Sequence, residues 1–448
     1  MKIIILGNGY DLSNGLPTSY DDFFNYRMPD VECTITEITE ILKEEFPEDY
    51  NTYFNELFST GNIFNREDIS NRKNNLIYTE INAVYSDIKS RIMKVIEQKN
   101  VCFWDLYFYK LRESKDLPSE IEWNDVENRI QLLIMNKLLV DNYINKDELK
   151  KKYIKYARVT GFKKSVVKTK ENQLNKNILY FIDQQEIMNL IEYIILYSYM
   201  DSEDNIYEGL LKNLEIFENN FQRYINIICN QLLNDKEGYL YNLYTVANNT
   251  SEKIYIINFN YTSISILDDT QKYPTIFEIK KGILHNSVIE NNVHGRFNTN
   301  IIFGIDQQGL KPMDKEYIFS KTYRKMRSLH TLNNNPLPPN QQVTEIIFFG
   351  HSLSEADYSY FQSIFDFYDI YNSNIILSFK YSEYGDLATR KRCLVKHIDG
   401  ITKLLGAYGE TMNNRKHGEN LSHKLMLENR LHIENVTEDL YRKLHKQK

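Results

Sequence analysis

The chain has 448 residues, of which 42% are hydrophobic and 26% charged, with a formal net charge of −7. That length implies two or three structural units of ordinary globular composition. The acidic balance argues against a dedicated nucleic-acid binder. No stretch approaches the ~18 consecutive apolar residues of a membrane span, so a cytoplasmic protein with no membrane partner is expected.

An aliphatic run at residues 3–6 breaks into Gly7-Asn8-Gly9, with Gly15-Leu16-Pro17 following. Such a run ending in glycines predicts a buried parallel strand feeding a tight turn. Glycine tolerates positive φ there and lets a phosphate approach the main chain, so the loop reads as a nucleotide cradle. An ordinary strand-to-helix turn is the alternative. The common dinucleotide fingerprint is not met, because Leu12 stands where its third glycine would be.

From residue 31 to about 249 the pattern changes to long amphipathic segments with helical spacing and few prolines. They predict a helical insertion. Within it, residues 146–170 form the densest basic run, read as a solvated helix and loop.

Strand-like runs resume at residues 254–257, 301–303, 346–349 and 375–379, with a further short one at 431–433. The predicted architecture is a doubly wound α/β domain of residues 1–30 plus 250–403, interrupted by the insertion at 31–249. A C-terminal extension at 404–448 completes the chain. Polar residues follow the strands: Asn260 after the second, His294-Gly295, Asp306, and Gly350-His351-Ser352 with Asp357. In an open α/β sheet such positions converge on one crevice beyond the carboxyl ends of the strands. Asn260 also reads as a turn or cap residue. His294 also reads as a loop histidine, with His285 as its rival, and Asp306 and Asp357 as caps or ribose contacts. Ser352 lacks the Gly-x-Ser-x-Gly context of a hydrolase nucleophile.

The four cysteines, Cys33, Cys102, Cys229 and Cys393, are scattered and form no Cys-x-x-Cys. They supply neither a short-spaced zinc knuckle nor a disulfide framework, so no zinc is expected.

The spacing Gly7-x-Gly9-x-Asp11 then Gly15-Leu16-Pro17 resembles the first cofactor loop of the SIR2 superfamily. Asn260, His294-Gly295 and Gly350-x-Ser352-Leu353 resemble its later blocks. The resemblance is closer still to the abortive-infection AbiH-like phage-defence family. That family opens on Gly-Asn-Gly-aromatic-Asp-Leu and Gly-Leu-Pro-Thr-Ser-Tyr, then carries Asn-Tyr-Thr, His-Gly and Gly-His-Ser-Leu. The resemblance implies a SIR2-like Rossmann-type core and NAD as substrate, contacted by Gly7, Asn8, Gly9, Asp11, Gly15, Pro17, Asp306, Gly350 and Ser352. It places catalysis on Asn260 and His294. Self-assembly and a phage-derived trigger or accessory protein are the partners such an effector implies.

Asp11 replaces the SIR2 loop serine, and Thr262 the aspartate after the asparagine. With no four-cysteine module, these departures disfavour deacetylation and leave cleavage of the dinucleotide. Two other readings compete: a metal-dependent nuclease or nucleotide-processing effector using Asp11, Asp306 and Asp357, and a non-catalytic nucleotide-binding sensor.

Overall fold

The aliphatic run at the start of the chain becomes β1 (Lys2–Leu6), the spine of a six-stranded sheet in which every pairing is parallel. The other strands are β2 (Ile254–Asn258), β3 (Val288–Asn292), β4 (Glu345–Phe349), β5 (Ile376–Tyr381) and β6 (Leu431–Asn435). Their order, β3-β2-β1-β4-β5-β6, is that of a Rossmann-like fold, with the direction of winding reversing beside β1. This computed structural model describes residues 1–45, 89–113, 125–136, 206–232, 236–248, 252–263, 288–295, 301–306, 309–327, 336–353, 355–384 and 386–440, with 188, 191–192, 194–196 and 198–199. The basic run at 146–170 and His285 lie outside these residues.

Buried on both faces, the central strands need continuous apolar runs. Ile3 and Ile5 share a core with Ile346, Phe348, Leu377 and Phe379, closed by Phe361 and Phe365 of one helix and Leu404 and Leu405 of another. Ile4 and Leu6, on the opposite face, are equally buried. At about 25 cal/mol per Å² of apolar surface, each such isoleucine stabilises the fold by roughly 1.5–3 kcal/mol.

Two units emerge. One holds Met1–Phe23, Asp125–Gln131 and Glu218–Lys448, and thus the whole sheet; the other holds Phe24–Asn124 and Leu132–Phe217. The described residues of the second are mainly helical and hold a buried fork in which Arg27 donates through Nε and Nη2 to the two oxygens of Asp105, at 3.1 and 3.0 Å.

This division differs from the boundaries read off the sequence. Residues 125–131 and 218–248, assigned there to the insertion, belong with the sheet. So does the tail, where Leu421 and Leu425 enter the core and β6 completes the sheet. Helical periodicity shows that a face is buried but not what buries it. Residues 301–303, expected as a strand, are a buried segment outside the sheet. Ile302 donates to the His294 carbonyl and Ile305 bridges Ser320.

Candidate functional site

Sheet register decides which residues meet at the carboxyl edge. Leu6 pairs with Asn258 on one side and Phe349 on the other, and Asn258 pairs with Asn292. Two residues past these four strand ends stand Asn8, Asn260, His351 and His294. The structure therefore brings Asn260 and His294 to the same edge as the glycine loop. Phe259 packs its ring edge-on against both imidazoles, with centroids 5.3 Å from His294 and 4.7 Å from His351.

Asp357 gathers the histidines. It directly precedes helix Tyr358–Phe367 but makes no side-chain cap. Its Oδ1 lies 3.1 Å from His294 Nε2, its Oδ2 3.4 Å from His351 Nε2. His351 Nδ1 accepts from the Leu353 amide at 2.9 Å, which leaves Nε2 to carry the ring proton toward Asp357. Lys321, at the start of helix Lys321–Arg327, donates Nζ to Asp357 Oδ1 at 2.7 Å and to Glu127 Oε2 at 2.9 Å. Glu127 comes from helix Val126–Met135.

Burial sets the charges. It pushes the His294 pKa down to about 4, and the Lys321 charge adds to the effect. The ring is therefore neutral at pH 7; donating Nε2–H to Asp357 leaves Nδ1 as an acceptor. Burial opposes the charged form of Asp357, but Lys321 and the histidines outweigh it and hold this carboxyl well below the usual range. Burial raises Glu127 to about 7 against the pull of Lys321. Above that pH the cluster has two carboxylates and one ammonium, so its net charge is −1.

Asn260 is 2% exposed, and neither its Oδ1 nor its Nδ2 has a hydrogen-bond partner. The turn role considered for it belongs to Asn258, whose Oδ1 accepts the Asn260 amide at 2.9 Å and whose Nδ2 donates to Glu290 at 2.8 Å. Asn260 is thus positioned by its neighbour while its own side chain satisfies nothing. A buried amide left so costs about 1–3 kcal/mol and calls for a ligand or water.

The glycine loop is built for packing. A Cβ on Gly7 would stand 2.4 Å from His351 Cα, and one on Gly9 2.7 Å from Gly350 Cα. Gly350 itself needs φ +71°. The amides of Gly7, Gly9 and Tyr10 donate to the carbonyls of Phe349, Gly350 and Gly7, so these three N–H groups are already engaged. Asn8 is tied to Thr18, donating Nδ2 to its carbonyl and accepting its hydroxyl at 2.6 Å. The Pro17 carbonyl accepts the Tyr224 hydroxyl at 2.6 Å, and Gly15 lies exposed at φ +74°. Ser352 is exposed.

Asp11, 1% exposed, accepts from Tyr239 at 2.8 Å and Thr262 at 2.7 Å, and burial raises it to about 7. Asp306 accepts the Ser359 amide at 3.3 Å and its hydroxyl, capping the helix that Asp357 precedes. Asp11 thus accepts from Tyr239 and Thr262, Asp306 from Ser359, and Asp357 from Lys321. Among the described residues no three His, Cys, Asp or Glu are grouped to hold a metal ion. Nor is any helix among them long and apolar enough to cross a membrane.

Glu127 and Lys321 were not legible as site residues. Each sits in a helical segment with other charged residues, the usual mark of a solvated face. Asp357 stands six residues beyond the strand-end His351, but nothing in that spacing points to Glu127 or Lys321.

A family model described as bacteriophage abortive infection AbiH matches residues 3–379, a stretch containing every side chain of this site. Among curated proteins and among solved structures nothing matches. The chain belongs to the bacteriophage abortive infection AbiH family.

Proposed function

We propose that this chain is an anti-phage abortive-infection effector with a SIR2-like core that hydrolyses NAD at the nicotinamide–ribose bond, depleting the infected cell. The observation that carries the reading is Asn260, a buried amide with both polar atoms unpartnered, two residues past the strand end that pairs with that of His294. NAD and water give ADP-ribose, nicotinamide and a proton. The leaving group is already cationic, so no strong general acid is needed. What the site must supply is a hold on the ribose, shielding of an oxocarbenium-like centre, and a water.

Asn260 offers one donor group and one acceptor to a ribose hydroxyl or to the attacking water. Neutral His294 takes the water's proton on Nδ1 as the carbon–oxygen bond forms, and Asp357 stabilises the resulting imidazolium. The net negative charge of the cluster suits a centre that becomes cationic in the transition state. Asn8, Gly350 and Ser352, past the ends of β1 and β4, are the groups this reading assigns to the rest of the nucleotide.

The test is release of free nicotinamide from NAD by the purified protein. His294→Ala and Asn260→Ala are each expected to lower it at least 100-fold while leaving the melting temperature within a few degrees. NAD that stays intact both in vitro and in cells whose growth is halted by overexpression overturns the reading.

A further inference from the structure

We propose that Glu127 is a second recognition group of this site and works with Asn260 to hold the vicinal hydroxyls of a ribose. The proposal rests on the reading that the ligand is a ribonucleotide. Glu127 uses Oε2 for Lys321, while Oε1 is sealed from solvent with no hydrogen-bond partner. Asn260 is in the same state at both polar atoms. At this site, among the described residues, the unpartnered buried atoms are thus one carboxylate oxygen, one amide oxygen and one amide nitrogen.

Their chemistry restricts what fits. A carboxylate oxygen accepts and never donates when ionised, so the ligand must present a donor to Glu127. The amide needs both a donor and an acceptor opposite it. A diol satisfies the set, since each hydroxyl donates once and accepts as well. A phosphate does not, because it brings only acceptors and negative charge toward Glu127 and Asp357. Tyr20 and Tyr261, whose hydroxyls stand 3.3 Å apart, and Tyr360 lie close enough to Glu127 for its charge to act on them. Tyr20 and Tyr261 each pack against Phe221 and Phe303, which makes this side of the site aromatic. Lys321 couples Glu127 to Asp357, so a hydroxyl held by Glu127 is tied to the histidine pair through a single ammonium.

The experiment is calorimetric titration at pH 8 of the full chain with NAD and ADP-ribose, each against its 2′-deoxy counterpart. Melting temperature serves as the fold control. Wild type is expected to prefer each ribonucleotide at least tenfold over the deoxy form. Glu127→Gln keeps an oxygen for Lys321. It is expected to bind ribonucleotides at least tenfold more weakly and to lose the preference, with affinity for the deoxy forms unchanged. A preference that persists in Glu127→Gln, or that wild type never shows, overturns the proposal. The two claims separate cleanly. Glu127-dependent diol preference without nicotinamide release sinks NAD hydrolysis alone, and release with a Glu127-independent preference sinks the present proposal alone. No binding of any ribonucleotide sinks both.

Discussion

Asp11→Asn separates a fold-holding role for the opening motif from a ligand-holding one. The carboxylate is fully buried, accepts the hydroxyls of Tyr239 and Thr262, and has its pKa raised by burial from 3.8 to about 7. A folded pKa above the unfolded one means that the native state holds this proton more tightly. Its contribution to stability is therefore complete below the unfolded pKa and is lost as pH rises through 7. The shift corresponds to about 4 kcal/mol, of which about 3 kcal/mol falls between pH 5 and pH 8. Asparagine cannot ionise and keeps one oxygen for the two hydroxyls. At pH 5 the variant is expected to be less stable than wild type by about 1 kcal/mol, because one hydroxyl loses its acceptor. At pH 8 the order reverses, and the variant is the more stable by about 2 kcal/mol. Urea unfolding of both proteins at the two pH values, followed by far-UV circular dichroism, reads the difference. Because Glu127 and His294 titrate in both proteins, their contributions cancel in the comparison. A stability gap that does not change between pH 5 and pH 8 refutes the reasoning.

Three further outcomes follow from the same structure. Gly350→Ala places a Cβ 2.3 Å from Tyr10 N at φ +71° and is expected to abolish soluble expression; Gly15→Ala, at φ +74° with nothing within 4 Å, costs about 1–2 kcal/mol, and equal melting temperatures for the two would refute the packing role of the loop. Lys321→Met leaves Asp357 and Glu127 buried without their shared cation and is expected to cost about 3–5 kcal/mol by urea unfolding, part of which Glu127→Gln restores in the double variant; no restoration argues against the shared pairing. Nicotinamide release is expected to fall as pH drops through about 7, where Glu127 gains a proton beside Lys321, Asp357, Asp125, Tyr20, Tyr261 and Tyr360, and to fall again toward about 4 as His294 protonates. Glu127→Gln should remove the upper limb of the rate profile alone.

The central strands were legible because burial on both faces forces unbroken apolar runs, as in the IIIL of β1 and IIFF of β4. The edge strand β3 was not. Its sequence, VIENN, is half-exposed and paired on one side only, so it needs no such run. The buried segment at residues 301–303 has the opposite character, apolar without a ladder, and for that reason imitated a strand. The place of Asn260 and His294 at the carboxyl edge was readable, because each follows closely on an apolar or edge strand whose register sets that edge. Asp306 accepts from Ser359 in the first turn of the helix that Asp357 precedes. Asp357 does not cap, because Lys321 and two histidines compete for its oxygens. Two of these three competitors, Lys321 and His294, lie 36 and 63 positions from Asp357, and no local pattern encodes their contacts.

The opening glycines change meaning once the sheet register is known. Beside β1 the winding direction reverses, and the loops after β1 and β4 leave the sheet at one level. A side chain on Gly7 or Gly9 would force these loops apart by striking His351 Cα or Gly350 Cα. Their absence lets Gly9 donate to the Gly350 carbonyl at 2.7 Å and seats His351 against Phe259. From there His351 reaches Asp357 opposite His294. The glycines therefore act on the aspartate–histidine cluster at one remove. They set the spacing of the strand-end loops, and that spacing decides whether one aspartate can serve two histidines. Asp11 takes part in the same construction from the other side, because its bond to Thr262 ties the first loop to the segment that carries Asn260.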